Sequence, residues 1–141
     1  MEEAGARRMF RDLPAVHVAT VGPLGEPHVV PLWFVWGEDA VYASAGRSSR
    51  TWRNLETDPR VSLVFDVGRD WVELAGAVVG GRAELLAPGQ PPLRSPMSEW
   101  HEKYRVYLAG DGFRRFTGQV PDLGFIRVVP ESIATWNHAR G

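Results

Sequence analysis

The chain has no cysteine and only one lysine, Lys103. The absence of cysteine excludes a disulfide scaffold, a thiolate metal site and a cysteine nucleophile. All sixteen basic residues except Lys103 are arginine, and the formal net charge is −1. A charge this close to zero gives no reason to expect binding to nucleic acid or to an anionic membrane surface.

Long apolar runs are also missing. No run approaches the ~20 residues that a membrane-spanning helix needs, and the first eight residues lead into no apolar segment of the secretory type. We therefore expect a cytoplasmic protein that does not contact a membrane. With 141 residues, 44% of them hydrophobic, the sequence predicts a single domain over residues 1–141 with one hydrophobic core.

Signals for metal binding and for side-chain catalysis are weak. The four histidines lack metal-ligand spacing, and Arg105 stands where a zinc-protease motif beginning at His101-Glu102 needs its second histidine. No Gly-x-Ser-x-Gly nucleophile elbow is present. We predict neither a metal site nor a catalytic acid, base or nucleophile.

What the sequence does contain is a series of short β patterns separated by turn residues. The predicted strands cover residues 15–21, 27–36, 40–45, 60–66, 71–86 and 123–129, with a last short segment at 132–136. Gly76 and Gly80-Gly81 interrupt the longest pattern and predict bulges or a sharp bend. Hairpin-length loops join the strands, so we predict a mainly β (α+β) fold. It would be a six-stranded antiparallel split barrel with a few short helices outside.

Helices are predicted over residues 2–11, 49–57 and 95–109. In the third, Ser95 and Pro96 give a cap and a first-turn proline. One face carries an apolar stripe, Met97, Trp100, Tyr104 and Leu108, which is typical of core or dimer packing. The charged residues Glu99, Glu102, Lys103 and Arg105 are assigned to the solvated face. Phe113 and Phe116 are placed in a loop or a short helix.

Residues 46–60 are the most informative segment. A Gly-led turn with serines and arginines follows a predicted strand and opens a short helix. The start of a helix has free N–H groups and the positive end of the dipole, so it suits a phosphate. Guanidinium groups and hydroxyls add further donors. The segment therefore predicts a phosphate site for a bound cofactor.

Two other interpretations stay open for this segment. Hydroxyls and arginines at a helix start are often no more than a cap and a solvated surface. Arg53 and Arg60 would then be surface ion-pair partners of Glu56 and Asp58.

The six tryptophans are more than a core of this size needs, which favours a dimer interface or a ring-lined pocket. Trp33 and Phe34 are neighbours on one strand, so one of them should face the core. Trp52, on the short helix, would either stack on a bound ring or close the end of the barrel.

The order of these motifs resembles the flavin-binding split β-barrels related to pyridoxamine 5′-phosphate oxidase, and above all the small branch that uses FMN or the deazaflavin coenzyme F420. The resemblance covers residues 15 to about 136. It is carried by segments 18–20 and 25–28, 30–34, 48–55 running into 58–63, and 79–86. One departure is Thr51, where many relatives carry lysine. Arg47, Arg50 or Arg53 would supply the missing charge.

The resemblance implies a homodimer with two cofactors in grooves between the subunits. The implied phosphate-binding residues are Arg47, Ser49, Arg50, Thr51 and Trp52. The residues implied to flank the ring are Leu32, Trp33, Phe34, Ala43 and Ser44. The residues implied to come from the second subunit are Trp71, Glu73 and Trp136.

The function implied is that of an oxidoreductase that transfers hydride or electrons between FMN, or alternatively coenzyme F420, and a small organic molecule. The alternative is a flavin or haem carrier or sensor of the same fold that does not turn over. A nucleic-acid partner is not expected, because the basic residues show no excess and no aromatic interleaving. The sequence leaves the choice between the two flavins open.

Overall fold

The computed structural model describes residues 2–109 and 122–138. Three helices and two 3-10 turns lie among the strands: α1 (Glu3–Phe10), α2 (Arg50–Thr57), a 3-10 turn (Trp71–Glu73), a second 3-10 turn (Pro91–Leu93) and α3 (Arg94–Leu108). The strands in this part are β1 (Val16–Val21), β2 (Pro27–Leu32), β3 (Phe34–Trp36), β4 (Val41–Gly46), β5 (Arg60–Val67), β6 (Ala75–Leu86), β7 (Leu123–Val128) and β8 (Ser132–Asn137). No helix among these residues is long and apolar enough to cross a membrane.

The strands form one antiparallel sheet that curls into a barrel. Its order is β2-β1-β5-β6-β7-β4-β3, and β8 pairs with β6 beside this path. The two strands at the ends of the order, β2 and β3, are consecutive in the chain and separated only by Trp33. Because the chain itself joins the two ends of the order, the sheet must turn back on itself.

Strand β6 serves both halves of the barrel. Its first eight residues pair with β5, and its last four pair with β7. The change of partner comes just after Gly81, where a Cβ atom would lie 2.8 Å from the carbonyl oxygen of Val129. At the start of the strand, the indole of Trp136 packs on Gly76 in the space that a side chain would fill. The glycines that predicted a bend therefore allow close backbone and ring approaches.

The core has two parts, on opposite faces of the sheet. Inside the barrel, Phe34, Trp36 and Phe65 pack together, and Phe10 of α1 stacks on Phe65 with 6.3 Å between ring centroids. The second part lies between the outer face of the sheet and α3. Its buried residues are Val35, Ala40, Tyr42, Leu86, Leu93, Trp100, Tyr104 and Phe125. Strand β4 is buried on both faces because it separates the two clusters.

The predicted fold class and barrel are confirmed, but the strand count differs. Residues 2–109 and 122–138 form eight strands instead of six, partly because the predicted second strand divides at Trp33, where the chain changes its pairing partner from β1 to β4. Residues 71–73 form a 3-10 turn rather than strand, and the segment after 131 is a fully paired strand.

The predicted helix 95–109 also needs correction at its start. The helix begins at Arg94, directly after the second 3-10 turn, and its N-cap position is Leu93, with no side-chain cap from Ser95. Pro96 lies in the first turn, where its missing N–H removes no hydrogen bond. Phe113 and Phe116 lie outside the described residues.

Candidate functional site

The start of α2 is built by a side-chain cap. Ser49 is extended, with φ −73° and ψ 159°, and its Oγ accepts a hydrogen bond from the amide of Trp52 at 3.2 Å. The amides of Arg50 and Thr51 have no carbonyl available one turn earlier in the helix. Within the described residues, neither donates to a backbone carbonyl outside it. Two N–H groups therefore remain for a ligand at this helix start.

The barrel fixes the orientation of α2. Trp52 and Leu55 are buried in the barrel core, and the Nδ2 of the buried Asn54 donates to Thr20 Oγ1 of β1 at 3.1 Å. The indole of Trp52 also packs on Gly124 of β7, where a Cβ atom would lie 2.6 Å from it. Within this chain, Trp52 thus closes the end of the barrel.

Two guanidinium groups lie beside the helix start and are only weakly paired. Arg47 lies 3.5 Å from Asp122, and Arg50 lies 3.6 Å from Glu26 in the β1–β2 turn. Their side chains keep 42% and 56% of their exposure, so little of their charge is screened by the partners. We call Arg47, Ser49, Arg50 and Thr51 the α2 cradle. Its donor set, two amides, hydroxyls and two guanidiniums, suits a phosphate.

Thr51 differs from the rest of the cradle because its side chain is buried, at 2% exposure. Thr51 is therefore less accessible to a ligand than Arg47, Ser49 and Arg50. Next to the cradle, a shallow cavity of about 300 Å³ runs along α2. The cavity is lined by Pro23, Glu26, Arg50, Arg53, Asn54 and Thr57. Among the described residues Arg53 makes no ion pair with Glu56, whereas Arg60 pairs with Asp58 at 2.6 Å as one interpretation predicted.

The residues predicted to flank a ring lie where β2 passes into β3 and on the neighbouring β4. Leu32 and Trp33 are half-buried, whereas Phe34 and Ala43 are fully buried in the barrel core. Of the neighbours Trp33 and Phe34, it is therefore Phe34 that faces the inside of the barrel. Ser44 Oγ accepts a hydrogen bond from Trp100 Nε1 and donates to the carbonyl of Trp33, each at 3.2 Å.

Helix α3 covers the outer face of this segment. The indole of Trp33 stacks on Tyr104, with 4.2 Å between centroids and 3° between planes. The hydroxyl of Tyr104 accepts from the amide of Phe34 at 2.9 Å and lies 2.9 Å from the carbonyl of Pro14. Burial raises the pKa of Tyr104 to about 12, against the opposing hydrogen bond at Phe34.

Lys103 was predicted on the solvated face of α3, and this is wrong. Its ammonium donates to the carbonyls of Arg11 at 2.8 Å and Phe34 at 2.9 Å, and it lies 3.6 Å from the centroid of the Phe34 ring. Burial lowers the pKa of Lys103 to about 8, and the charge of Asp12 opposes the shift. The stem of a lysine can lie along apolar surface, which a charged-residue pattern does not reveal.

The residues predicted to come from the second subunit lie around the start of β6. Trp71 is 73% exposed, and its ring lies 4.1 Å from the imidazole of His138. Glu73 accepts from the amides of Arg69 and Asp70 and so holds the turn before it. Trp136 is half-buried on Gly76. The structure thus places the predicted residues in three groups: the α2 cradle, the β2–β3 passage and this turn.

In the described ranges, no three histidine, aspartate or glutamate side chains are close enough to hold a metal ion. Away from the cradle, a charged cluster centres on Arg127, which contacts Asp39 at 2.8 Å and Glu84 at 3.3 Å. Tyr42 accepts from Arg127 Nε at 3.2 Å. The pKa of Asp39 is lowered by its hydrogen bond to Arg127. This cluster connects β7 with β6, with β4 and with the turn before β4, and every member is paired with another side chain of the chain.

These features define a split β-barrel with a capped helix start between β4 and β5 whose donor groups suit an anion. The family model for pyridoxamine 5′-phosphate oxidase matches residues 3–137. The chain belongs to this family. Comparison with curated protein sequences gave no significant match.

Solved structures with the same fold include three of different kinds. The conserved hypothetical protein Rv2991 from Mycobacterium tuberculosis is 24% identical, covering 98% of this chain and 86% of that chain, with a TM-score of 0.77. A FAD-binding protein from Mesorhizobium loti is 18% identical over 96% of this chain and 92% of its own, with a TM-score of 0.74. An F420 reductase is 20% identical over 95% and 98%, with a TM-score of 0.71.

Proposed function

We propose that this protein binds a phosphorylated flavin-type cofactor, FMN or alternatively the deazaflavin F420, and acts as an oxidoreductase on a small organic molecule. The observation that carries the proposal is the α2 cradle, where two unpaired amides and two weakly paired arginines converge at a capped helix start. The family match and the likeness to a FAD-binding protein and an F420 reductase support it.

The cradle would hold the phosphate. A phosphate that displaces Asp122 from Arg47 and Glu26 from Arg50 breaks only two long, solvent-exposed ion pairs, each worth less than about 1 kcal/mol. It would gain charge-assisted hydrogen bonds, which are roughly twice as strong as neutral ones. The departure at Thr51 is compatible with this role, because the arginines carry the positive charge.

The ring would lie against the β2–β3 passage. The half-buried side chains of Leu32 and Trp33 are the groups of this segment that a ring could touch. Phe34 and Ala43 face the barrel core, so they would shape the strands rather than contact the ring with their side chains. Bound there, the cofactor would supply hydride or electron transfer. The residues of the chain would bind it, orient it and exclude water.

A second copy of the chain would complete the site. The turn with Trp71 and Val72 exposes two large apolar side chains, 73% and 64% accessible, and exposed apolar surface of this kind is typical of an interface. We propose that Trp71, Glu73 and Trp136 reach the cofactor held by the partner. Sedimentation or light scattering would show a dimer, and a monomer with full cofactor affinity would contradict this part of the proposal.

The test of cofactor binding is a titration of the purified protein with FMN and with F420, followed by absorbance and fluorescence. We expect micromolar or tighter affinity for one of them. Arg50→Ala and Ser49→Ala should weaken binding at least tenfold, since each removes part of the cradle. Arg105→Ala is the matched control, because Arg105 is an exposed arginine on α3. No binding of either cofactor would refute the proposal.

Turnover separates the enzyme from a carrier or sensor. Bound FMN would be reduced with a nicotinamide cofactor, or F420 supplied in its reduced form, and an acceptor then added. Reoxidation at a rate faster than that of free cofactor would support the enzyme. A cofactor that stays bound through this cycle without exchange of electrons would favour the carrier.

A further inference from the structure

The passage from β2 to β3 is held by side chains of α3 as well as by β4, whose Ser44 amide donates to the carbonyl of Trp33 at 2.8 Å. At Trp33 the chain leaves β1 and joins β4. The amide of Phe34, the first residue of β3, donates to the hydroxyl of Tyr104 at 2.9 Å. The carbonyl of Phe34 accepts from Lys103 at 2.9 Å and lies 3.1 Å from the same hydroxyl. Both backbone groups of Phe34 are thus bound by two consecutive residues of α3.

The same two residues tie this point to the segment after α1. Lys103 donates to the carbonyl of Arg11 at 2.8 Å, and the Tyr104 hydroxyl lies 2.9 Å from the carbonyl of Pro14. The hydroxyl has one proton, so it donates to one of its two carbonyl neighbours at a time. We call Lys103 and Tyr104 the α3 clasp. The α3 clasp connects α3 to the backbone of Phe34 and to the segment after α1, and these three segments are distant in sequence.

The α3 clasp also fixes Trp33. The parallel stack on Tyr104 at 4.2 Å is flanked by Trp100 and Tyr107, whose ring centroids lie 5.8 and 5.7 Å from that of Trp33. One side of the indole is therefore set by α3. The position of Trp33 depends both on this stack and on the backbone next to it, and the α3 clasp supplies both.

We propose that Lys103 and Tyr104 are positioning residues for the ring of the bound cofactor, acting through the backbone of Phe34 and the indole of Trp33. The inference rests on the proposed function, because it assumes that a ring lies beside Trp33. Neither residue contacts the α2 cradle through any hydrogen bond or ion pair of the described residues. Binding of the ring and binding of the phosphate should therefore respond differently. Loss of the α3 clasp weakens the contribution of the ring alone.

The experiment compares two probes. FMN carries both ring and phosphate, and D-ribitol 5-phosphate carries the phosphate and chain without the ring. Lys103→Met keeps an apolar stem but removes the donors to Arg11 and Phe34. We expect about tenfold weaker FMN binding, as for loss of one charge-assisted hydrogen bond, and less than twofold change for D-ribitol 5-phosphate. The visible absorption band of bound FMN should also shift towards that of free FMN.

Further variants keep the proposal testable if Lys103→Met folds poorly. Lys103→Arg restores donors and charge, and should return FMN affinity to within about threefold of wild type. Tyr104→Phe removes only the hydroxyl and should lower FMN affinity while the amide of Phe34 exchanges faster with solvent. Arg105→Met is the matched control, since it changes an exposed α3 residue, and it should not alter the ratio of the two affinities.

Two results would overturn the inference. Equal weakening of FMN and D-ribitol 5-phosphate by Lys103→Met would show a general structural role, and unchanged FMN affinity in both Lys103→Met and Tyr104→Phe would show no role. If FMN fails to bind the wild-type protein, the comparison is made with F420. If neither binds the wild type, the proposed function fails, and the inference fails with it.

Discussion

The α2 cradle and the α3 clasp hold polar groups in opposite ways. In the cradle, arginines with 42% and 56% of their side chains exposed lie 3.5 and 3.6 Å from their acidic partners. In the clasp, Tyr104 is buried and Lys103 is half-buried, and their polar groups lie 2.8 to 3.1 Å from the backbone groups that they bind. Because its ion pairs are weak, the cradle can exchange partners. Loss of a hydrogen bond in the clasp leaves a buried polar group without a partner. Changes in the clasp should therefore alter stability as well as binding of the ring, whereas changes in the cradle should alter binding with little effect on stability.

The largest effect is expected for Tyr104→Ala. This change removes a buried ring from the second cluster and leaves the amide of Phe34 without its acceptor, so it should cost about 3–5 kcal/mol of unfolding free energy. Tyr107→Ala, on the same helix but 57% exposed, should cost about 1 kcal/mol or less. Urea denaturation monitored by tryptophan fluorescence gives both values. Equal losses of unfolding free energy in Tyr104→Ala and Tyr107→Ala would contradict the special role of the clasp in stability.

Gly124→Ala tests how far the cradle depends on the barrel. The new Cβ would lie 2.6 Å from the indole of Trp52 and 2.9 Å from Arg47 Cγ, so the ring and the turn must both move. We expect a loss of about 1–3 kcal/mol in stability together with weaker cofactor binding. Gly37→Ala is the control, since its Cβ would meet nothing closer than 3.4 Å. Normal binding in the Gly124 variant would mean that α2 is positioned without this contact.

The clasp should also give the protein a distinctive pH dependence. Burial lowers the pKa of Lys103 to about 8 from its ordinary 10.5, so the unfolded chain binds more protons between these values. Stability should therefore rise as the pH increases through this window, by about 1 kcal/mol once partial exposure is allowed for. The raised pKa of Tyr104, about 12, acts oppositely above pH 10, because the folded phenol keeps a proton that the unfolded one loses.

The measurement is the urea midpoint between pH 7 and pH 10, in wild type and in Lys103→Met. Lys103 is the only lysine in the chain, so no other lysine contributes to the slope. We expect the rise to be absent from the variant. A wild-type midpoint that is flat or falls over this range would show that Lys103 keeps an ordinary pKa in the folded protein.

The smallest effect is expected at the edge of the cradle. Glu26→Gln removes the carboxylate 3.6 Å from Arg50 and should change stability by less than about 0.5 kcal/mol. Binding of FMN should tighten about two- to threefold, because Arg50 no longer has a competing anion nearby. Glu102→Gln, which removes an exposed partner of Arg105, is the control. Weaker binding in the Glu26 variant would show that this carboxylate orients Arg50 instead of competing for it.

The barrel was predictable because its signals are local. Alternation in residues 60–67 places Val61, Leu63 and Phe65 on the inner face, and the structure buries all three. Ser49 marks the start of α2 as its N-cap. Asp58 marks its end, because a residue that precedes proline is disfavoured in helical geometry. The α2 cradle lies in one continuous segment, so its members could be named together from the sequence.

The clasp was not predictable because its partners are far apart. The hydrogen bonds of Lys103 and Tyr104 span 69 to 92 residues, and no local pattern links residue 103 to Arg11 or Phe34. On the helix, Lys103 stands next to charged residues and looked solvated. Only the packing of α3 over the outer face of β3 and β4 brings its ammonium over the Phe34 ring and to two backbone carbonyls.

The sequence by itself determined most of the strand segments and the start of α2, because alternation, capping and turn formation depend on residues within a few positions of each other. The tertiary structure alone decided that the chain changes partners at Trp33, that Glu26 faces Arg50 and that the ammonium of the single lysine binds two backbone carbonyls. Those contacts depend on how the sheet closes, and closure brings together backbone and side chains whose separation in sequence carries no local signal.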